Sequence, residues 1–132
     1  MTVRKNDPSG YGNALGAIFL EYAEGKALVE LDVNESHLNI GKTVHGGVIS
    51  GLLDIALSAA VTSRFLGKAE TVVTLQMNVN FLRAATLGET LIAKGEIIKQ
   101  GSTIIYTEGE IRSKKEDKLI AKASGDWFVK SH

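Results

Sequence analysis

The sharpest pattern in the chain is an alternation. Over residues 71–83, Val73, Leu75, Met77, Val79 and Phe81 occupy one parity, and Thr74, Gln76, Asn78 and Asn80 the other. Such a period of two predicts a strand with one apolar and one polar face. Residues 26–33 repeat it, with Ala27, Val29, Leu31 and Val33 set against Lys26, Leu28, Glu30 and Asp32. An apolar strand over residues 17–23 precedes them across a Glu24-Gly25 turn. Residues 89–99 and 103–113 predict a hairpin about Gln100-Gly101-Ser102, and residues 118–129 a last strand after a turn at 114–117. Between these strands the period lengthens only once at any length, from Gly46 to about Phe65, where the spacing is helical. Residues 1–9 form a loose lead-in around Asp7-Pro8-Ser9-Gly10, residues 11–15 a short helix, and residues 34–44 a loop.

One long helix among about six strands predicts an α+β fold, a single curved antiparallel sheet with the helix on its inner face. The helix is apolar round most of its circumference, so it must be covered nearly all round. One sheet wraps only part of it, and a partner subunit covers the rest. One face departs from this rule. Gly47, Ser50, Gly51, Asp54 and Ser58 fall together at helical spacing, while Val48, Ile49, Leu52, Leu53, Ala56 and Ala60 cover the others. A carboxylate on a stripe of small residues lets a substrate or a second backbone approach it. The alternative is an aspartate bonded to neighbouring backbone in a tightly packed helix.

The segment leading into that helix, Asn39-Ile-Gly-Lys-Thr-Val-His45-Gly46-Gly47, carries chemistry of its own. Gly46 and Gly47 lack a Cβ, so a ligand can approach N–H groups that a helix leaves unpaired at its positive end. Such a terminus suits a carbonyl oxygen that becomes an oxyanion. Asn39, His45-Gly46-Gly47 six positions later and Asp54 in the following helix resemble the active-site segment of the hotdog-fold acyl-CoA thioesterases. The nearest branch is the PaaI-like one, similar to the phenylacetate-pathway and thioesterase-superfamily-member-2 types. The likeness continues through residues 77–83, Gly88-Glu89-Thr90 and Lys99-Gln100-Gly101 to the closing strand.

The resemblance implies a hotdog fold, with one central helix wrapped by the curved sheet, that dimerises through sheet edges and often forms a dimer of dimers, a homotetramer. It implies active sites at the subunit interface. Gly46 N–H would polarise the thioester carbonyl, and Asp54 of the neighbouring subunit would act as nucleophile or as the base that activates water. Asn39 would hold the water or thioester, His45 would support the loop, and Thr74 would supply a hydroxyl from the strand after the helix. Gly47, Arg83, Lys99 and Gly101 are the candidates for contacts to substrate and to coenzyme A. Relatives commonly carry proline soon after the strand ending at Arg83, and Ala84-Ala85 stands here instead. The implied reaction is hydrolysis of a medium-chain or aromatic acyl-CoA to acid and CoA. Coenzyme A enters as part of the substrate, with no further cofactor.

Composition narrows the remaining classes. The 132 residues suffice for one domain. There is no cysteine, hence no disulfide and no thiolate metal site. Formal charge is zero with Lys and Arg scattered, so no footprint for nucleic acid is expected. The start lacks an apolar signal core, and Asp54 with the glycine and serine breaks marks residues 44–61 as a core helix, not a membrane span. A cytoplasmic protein is expected. His37 and His132 have no partner at a meaningful spacing and are expected on the surface. Two rivals share the fold: a hydratase or dehydratase acting on acyl thioesters, and a non-catalytic acyl-CoA-binding module. Against the first, His45 precedes the helix at the thioester position; against the second, a binding-only site has no use for Asp54.

Overall fold

The alternating segments pair into one antiparallel sheet, and the helical segment lies across its concave face. The computed structural model describes residues 2–65 and 68–131. Its strands are β1 (Thr2–Asn6), β2 (Ile18–Ala23), β3 (Lys26–Asp32), β4 (Ala69–Phe81), β5 (Thr90–Gln100), β6 (Ile104–Ser113) and β7 (Leu119–Ser131), with helices α1 (Gly10–Leu15) and α2 (Gly46–Arg64). The order across the sheet is β1-β2-β3-β5-β6-β7-β4, seven strands where about six were expected. The additional one is β1. The expected loose lead-in pairs with β2, and the chain then anchors itself through buried Asp7, whose backbone N–H donates to Ala17 O and whose Oδ1 accepts from Ser9 N–H.

The core forms where α2 meets the sheet. Leu52, Leu53, Ile55 and Leu57 of the helix are buried against Val29, Leu31, Leu91, Ile105 and Ile111 of the strands. Each such side chain contributes about 1.5–3 kcal/mol on leaving water. Trp127 fills the same core, and its indole N–H donates to Thr107 Oγ1 at 2.9 Å, so its polar atom is satisfied. The helix rests directly on sheet backbone at Gly95 and Gly109, cross-strand partners on β5 and β6. A Cβ on Gly95 would collide with the Ala56 carbonyl oxygen, and one on Gly109 with Lys94 O and Leu57 Cδ2. Far along α2, Ser63 Oγ accepts the Gly25 N–H at 2.9 Å and pins the β2–β3 turn to the helix. α2 has the length and composition of a membrane span, yet more than half of it is buried in this packing.

Two expectations are overturned. The alternation in β4 is not continuous: opposite β7, Thr74 pairs with Trp127 and Gln76 with Asp126, leaving Leu75 as an extra, unpaired residue. This bulge moves the inward face from even to odd positions. Val72, then Met77 and Val79, pack on the core, whereas Val73 and Leu75 are exposed. The periodicity counted Val73 and Leu75 with the core because a bulge leaves no mark in hydrophobicity. His37 is likewise buried instead of exposed. Its Nδ1 accepts the Asn34 N–H at 3.0 Å, which leaves the proton on Nε2 to be donated to Leu15 O at 2.7 Å. His132 lies outside the described residues.

His37 thereby links the end of α1 to a 3₁₀ turn at Glu35–His37, and its carbonyl accepts the His45 N–H at 2.8 Å. Replacing His37 with alanine strands the Leu15 carbonyl in the interior and leaves the half-buried Asn34 N–H without its acceptor. We expect a loss of about 3 kcal/mol in urea unfolding. Unchanged stability would mean that water replaces both bonds.

Candidate active site

The loop before α2 is built by local hydrogen bonds. Asn39 Nδ2 donates to Thr43 Oγ1 at 3.0 Å, and Asn39 Oδ1 accepts the Thr43 N–H at 3.1 Å. Val44 N–H donates to Ala85 O at 2.8 Å, zipping this loop to the one after β4. Ala85, at the position where proline was absent, is buried in that contact. Asn39 therefore shapes the loop through Thr43, and one amide proton remains for a ligand.

His45 is the N-cap of α2, in extended conformation with φ −61° and ψ 139°. Its Nδ1 accepts the Gly47 N–H at 2.8 Å, so the neutral ring carries its proton on Nε2, on the exposed side. This divides the two glycines. Gly47 N–H is occupied by the cap, while Gly46 N–H donates to no group among the described residues. Gly46 borders an open cleft of about 340 Å³ lined by Val44, Ile49, Phe81 and Arg83. The positive end of the helix thus presents one free donor, at Gly46.

Asp54 lies two turns further along the stripe that the sheet leaves uncovered. Gly47, Ser50, Gly51, Asp54 and Ser58 are all at least partly exposed, whereas Leu52, Leu53, Ala56 and Leu57 are fully buried. Asp54 Oδ1 accepts a hydrogen bond from Thr74 Oγ1 at 2.8 Å. The Leu75 bulge sits immediately after Thr74 and lets this even-numbered hydroxyl face the helix while Met77 and Val79 also face inward. Thr74, weakest of the candidates by sequence since strands are rich in threonine, is the one the structure ties directly to the carboxylate. One bond holds Oδ1, and Oδ2 has no partner among the described residues.

The other candidates separate into two groups. Arg83 lies at the Gly46 cleft. Lys99 and Gly101 sit at the β5–β6 turn, beside Gln100, which accepts from Arg64 at the far end of α2. The helix is 19 residues long, about 28 Å at the usual rise, so one chain does not bring Lys99 and Gly101 to Gly46. The sequence overlooked Tyr11. Its hydroxyl lies so close over Gly51 that an added Cβ there would collide with it. Gly51, three residues before Asp54 on the stripe, was the available signal.

A free N–H at a helix start and a positioned carboxylate are the two parts that acyl transfer to water requires. Residues 41–120 match the model of the thioesterase superfamily. Human acyl-coenzyme A thioesterase 13 is 33% identical over 113 residues, covering 85% of this chain and 79% of that protein. The PaaI protein of E. coli, from the phenylacetic acid degradation operon, superposes with a TM-score of 0.86 at 28% identity, over 93% of this chain and 86% of its own. A hypothetical thioesterase protein of Streptococcus pneumoniae TIGR4, crystallised with coenzyme A, gives 0.81 at 30% identity, over 88% and 90%. The chain belongs to the thioesterase superfamily, as a thioester hydrolase of the hotdog fold. Within that fold it sits with the PaaI-like acyl-CoA thioesterases.

Thr74→Val keeps the size of the side chain and removes only the bond to Asp54. We expect kcat to fall about tenfold to a hundredfold with KM nearly unchanged, the scale of a lost hydrogen bond to a charged group. Wild-type kcat in this variant would exclude Thr74 from the machinery.

Proposed function

We propose that the protein hydrolyses a medium-chain or aromatic acyl-CoA to free acid and CoA, at sites shared between two copies of the chain. One observation carries the reading. The free Gly46 N–H and the Asp54 carboxylate lie on one helix but stand eight residues apart, about 12 Å along the axis. A single thioester carbon cannot touch both. A second copy, with its helix antiparallel to the first, would bring its Asp54 opposite Gly46. β4 supports such pairing, since it is an edge strand of the sheet and carries the exposed apolar residues Val73, Leu75 and Phe81. Joining two such edges would remove a surface prone to aggregation. Two of these dimers would make the homotetramer.

In this arrangement Gly46 N–H donates to the thioester oxygen and the helix dipole stabilises the charge that develops there. Asp54 from the second copy either takes the proton from an attacking water and passes it to the leaving sulfur, or attacks the carbonyl carbon to form a mixed anhydride that water then hydrolyses to the acid. In both routes the C–S bond breaks and CoA leaves as the thiol, with a proton that comes from water. Arg83 beside the cleft is placed for a phosphate of the CoA. The test is thiol release across a panel of acyl-CoA esters. Free CoA from octanoyl-CoA or phenylacetyl-CoA is the expected result. Loss of an enoyl thioester without free thiol would instead make the protein a hydratase. Tight binding with no turnover would make it a binding module.

A further inference from the structure

The loop that delivers Gly46 is a small hairpin with His37 at its base. His45 N–H donates to His37 O at 2.8 Å, Leu38 and Val44 form the next bridge, and Asn39 N–H donates to Thr43 O at 2.8 Å. Beyond that rung Ile40, Gly41 and Lys42 are exposed. One arm of the hairpin is fastened to the loop after β4, through Val44 N–H to Ala85 O and a bridge of Thr43 with Thr86. The other arm is fastened by the buried ring of His37. A helix leaves its last carbonyls unpaired, and at the end of α1 the Leu15 carbonyl takes the Nε2 proton of that ring at 2.7 Å. The opposite ring nitrogen accepts the Asn34 N–H at 3.0 Å, which closes the 3₁₀ turn to which His37 itself belongs.

Three bonds in series therefore connect the end of α1 to the start of α2. Leu15 O holds the His37 ring, His37 O holds the His45 N–H, and His45 Nδ1 holds the Gly47 N–H. Gly46, flanked by His45 and Gly47, keeps an N–H with no partner among the described residues. We infer that His37 is a positioning residue for the reaction, and that its bond to Leu15 O fixes where the Gly46 N–H points. This role rests on the reading of Gly46 as donor to a thioester oxygen. A donor stabilises developing charge only if it is aimed beforehand, and a misplacement of about 1 Å costs on the order of a hundredfold in rate. The bond to Asn34 does not supply the aim. It lies within a turn that Asn34 Oδ1 also closes by accepting the Ser36 N–H, so the turn moves as a unit. The bond to Leu15, 22 residues away, is the one that refers this arm of the hairpin to another element of the fold.

Substitution separates the two ring bonds. Glutamine places an amide N–H near the position of Nε2, and asparagine an amide oxygen near that of Nδ1. His37→Gln thus keeps the link to α1, and His37→Asn keeps only the link within the turn. With octanoyl-CoA or phenylacetyl-CoA, and rates taken per folded protein, His37→Gln is expected to hold kcat within about threefold of wild type. His37→Asn should lose about tenfold to a hundredfold in kcat with KM nearly unchanged, the mark of an interaction made only in the transition state. Ser63→Ala controls for stability alone, because it breaks buried bonds at the far end of α2. It should unfold earlier and still turn over at the wild-type rate. Wild-type kcat in His37→Asn overturns the inference, as does an equal loss in His37→Gln or in Ser63→Ala. Should the wild type release no thiol from any acyl-CoA, the thioesterase reading fails instead. Hydrogen exchange then decides the positioning, since faster exchange of the His45 amide in His37→Asn than in His37→Gln supports it and equal exchange overturns it.

Discussion

Replacing Gly46 with proline is expected to abolish turnover while leaving the fold intact. Proline is well tolerated at the first position of a helix, where its missing N–H has no partner inside the helix. The residue before a proline must be extended, and His45 already is, at φ −61° and ψ 139°. A Cβ at Gly46 would meet the Phe81 ring at 3.5 Å, an ordinary contact. The substitution therefore deletes one donor and fills the place of the carbonyl oxygen with a ring carbon, and little else. Loss of a single oxyanion donor costs about 10²–10³ in kcat, and the added carbon excludes the substrate as well. Circular dichroism and the unfolding midpoint should match wild type. Retained activity in a folded Gly46→Pro protein would mean that the carbonyl binds elsewhere.

Two inactive chains should restore one another. Asp54→Asn is nearly isosteric yet removes the charge and basicity that attack or proton abstraction needs, so it should also be folded and nearly inactive. In a mixed dimer of Gly46→Pro and Asp54→Asn chains, one site would combine Gly46 of the second chain with Asp54 of the first. The other site would carry both lesions. Random association makes about half the dimers mixed, each with one sound site of two, so about a quarter of wild-type activity should return on co-refolding. Mass spectrometry verifies that mixed dimers are present. With them present and activity still at the baseline of either variant, the site would have to lie within one chain, and the 12 Å separation along α2 would need a different explanation.

Much of this was legible because hydrophobic periodicity and turn residues report directly on burial. A strand over residues 26–33, a long helix from Gly46 to about Phe65 and the small polar stripe from Gly47 to Ser58 all follow from spacing, and the structure has the strand at Lys26–Asp32 and the helix at Gly46–Arg64. What the sequence hid depends on single hydrogen bonds and on register. The Leu75 bulge reverses half of β4 without altering its composition. His37 is polar and unremarkable in sequence, yet both ring nitrogens are satisfied by backbone groups 3 and 22 residues away. The division of labour between Gly46 and Gly47 turns on one ring nitrogen of His45. Lys99 and Gly101 looked available to the same ligand as Gly46, but spacing along the chain does not state that they lie at opposite ends of a helix.

The glycine pair under α2 has an outcome for anyone who randomises this gene. Gly95 and Gly109 touch no ligand in the arrangement above, and they lie on the middle of the sheet. They bear on Ala56 and Leu57, two and three residues beyond Asp54, so a methyl group at Gly95 lifts the helix just past its carboxylate. The bond from Thr74 spans 2.8 Å and is anchored on a different strand, which does not follow the helix. A small displacement of the helix would stretch that bond before it emptied the core. A library scored for lost function should therefore flag both positions alongside Gly46 and Asp54. The same library scored for soluble expression should pass many of those variants.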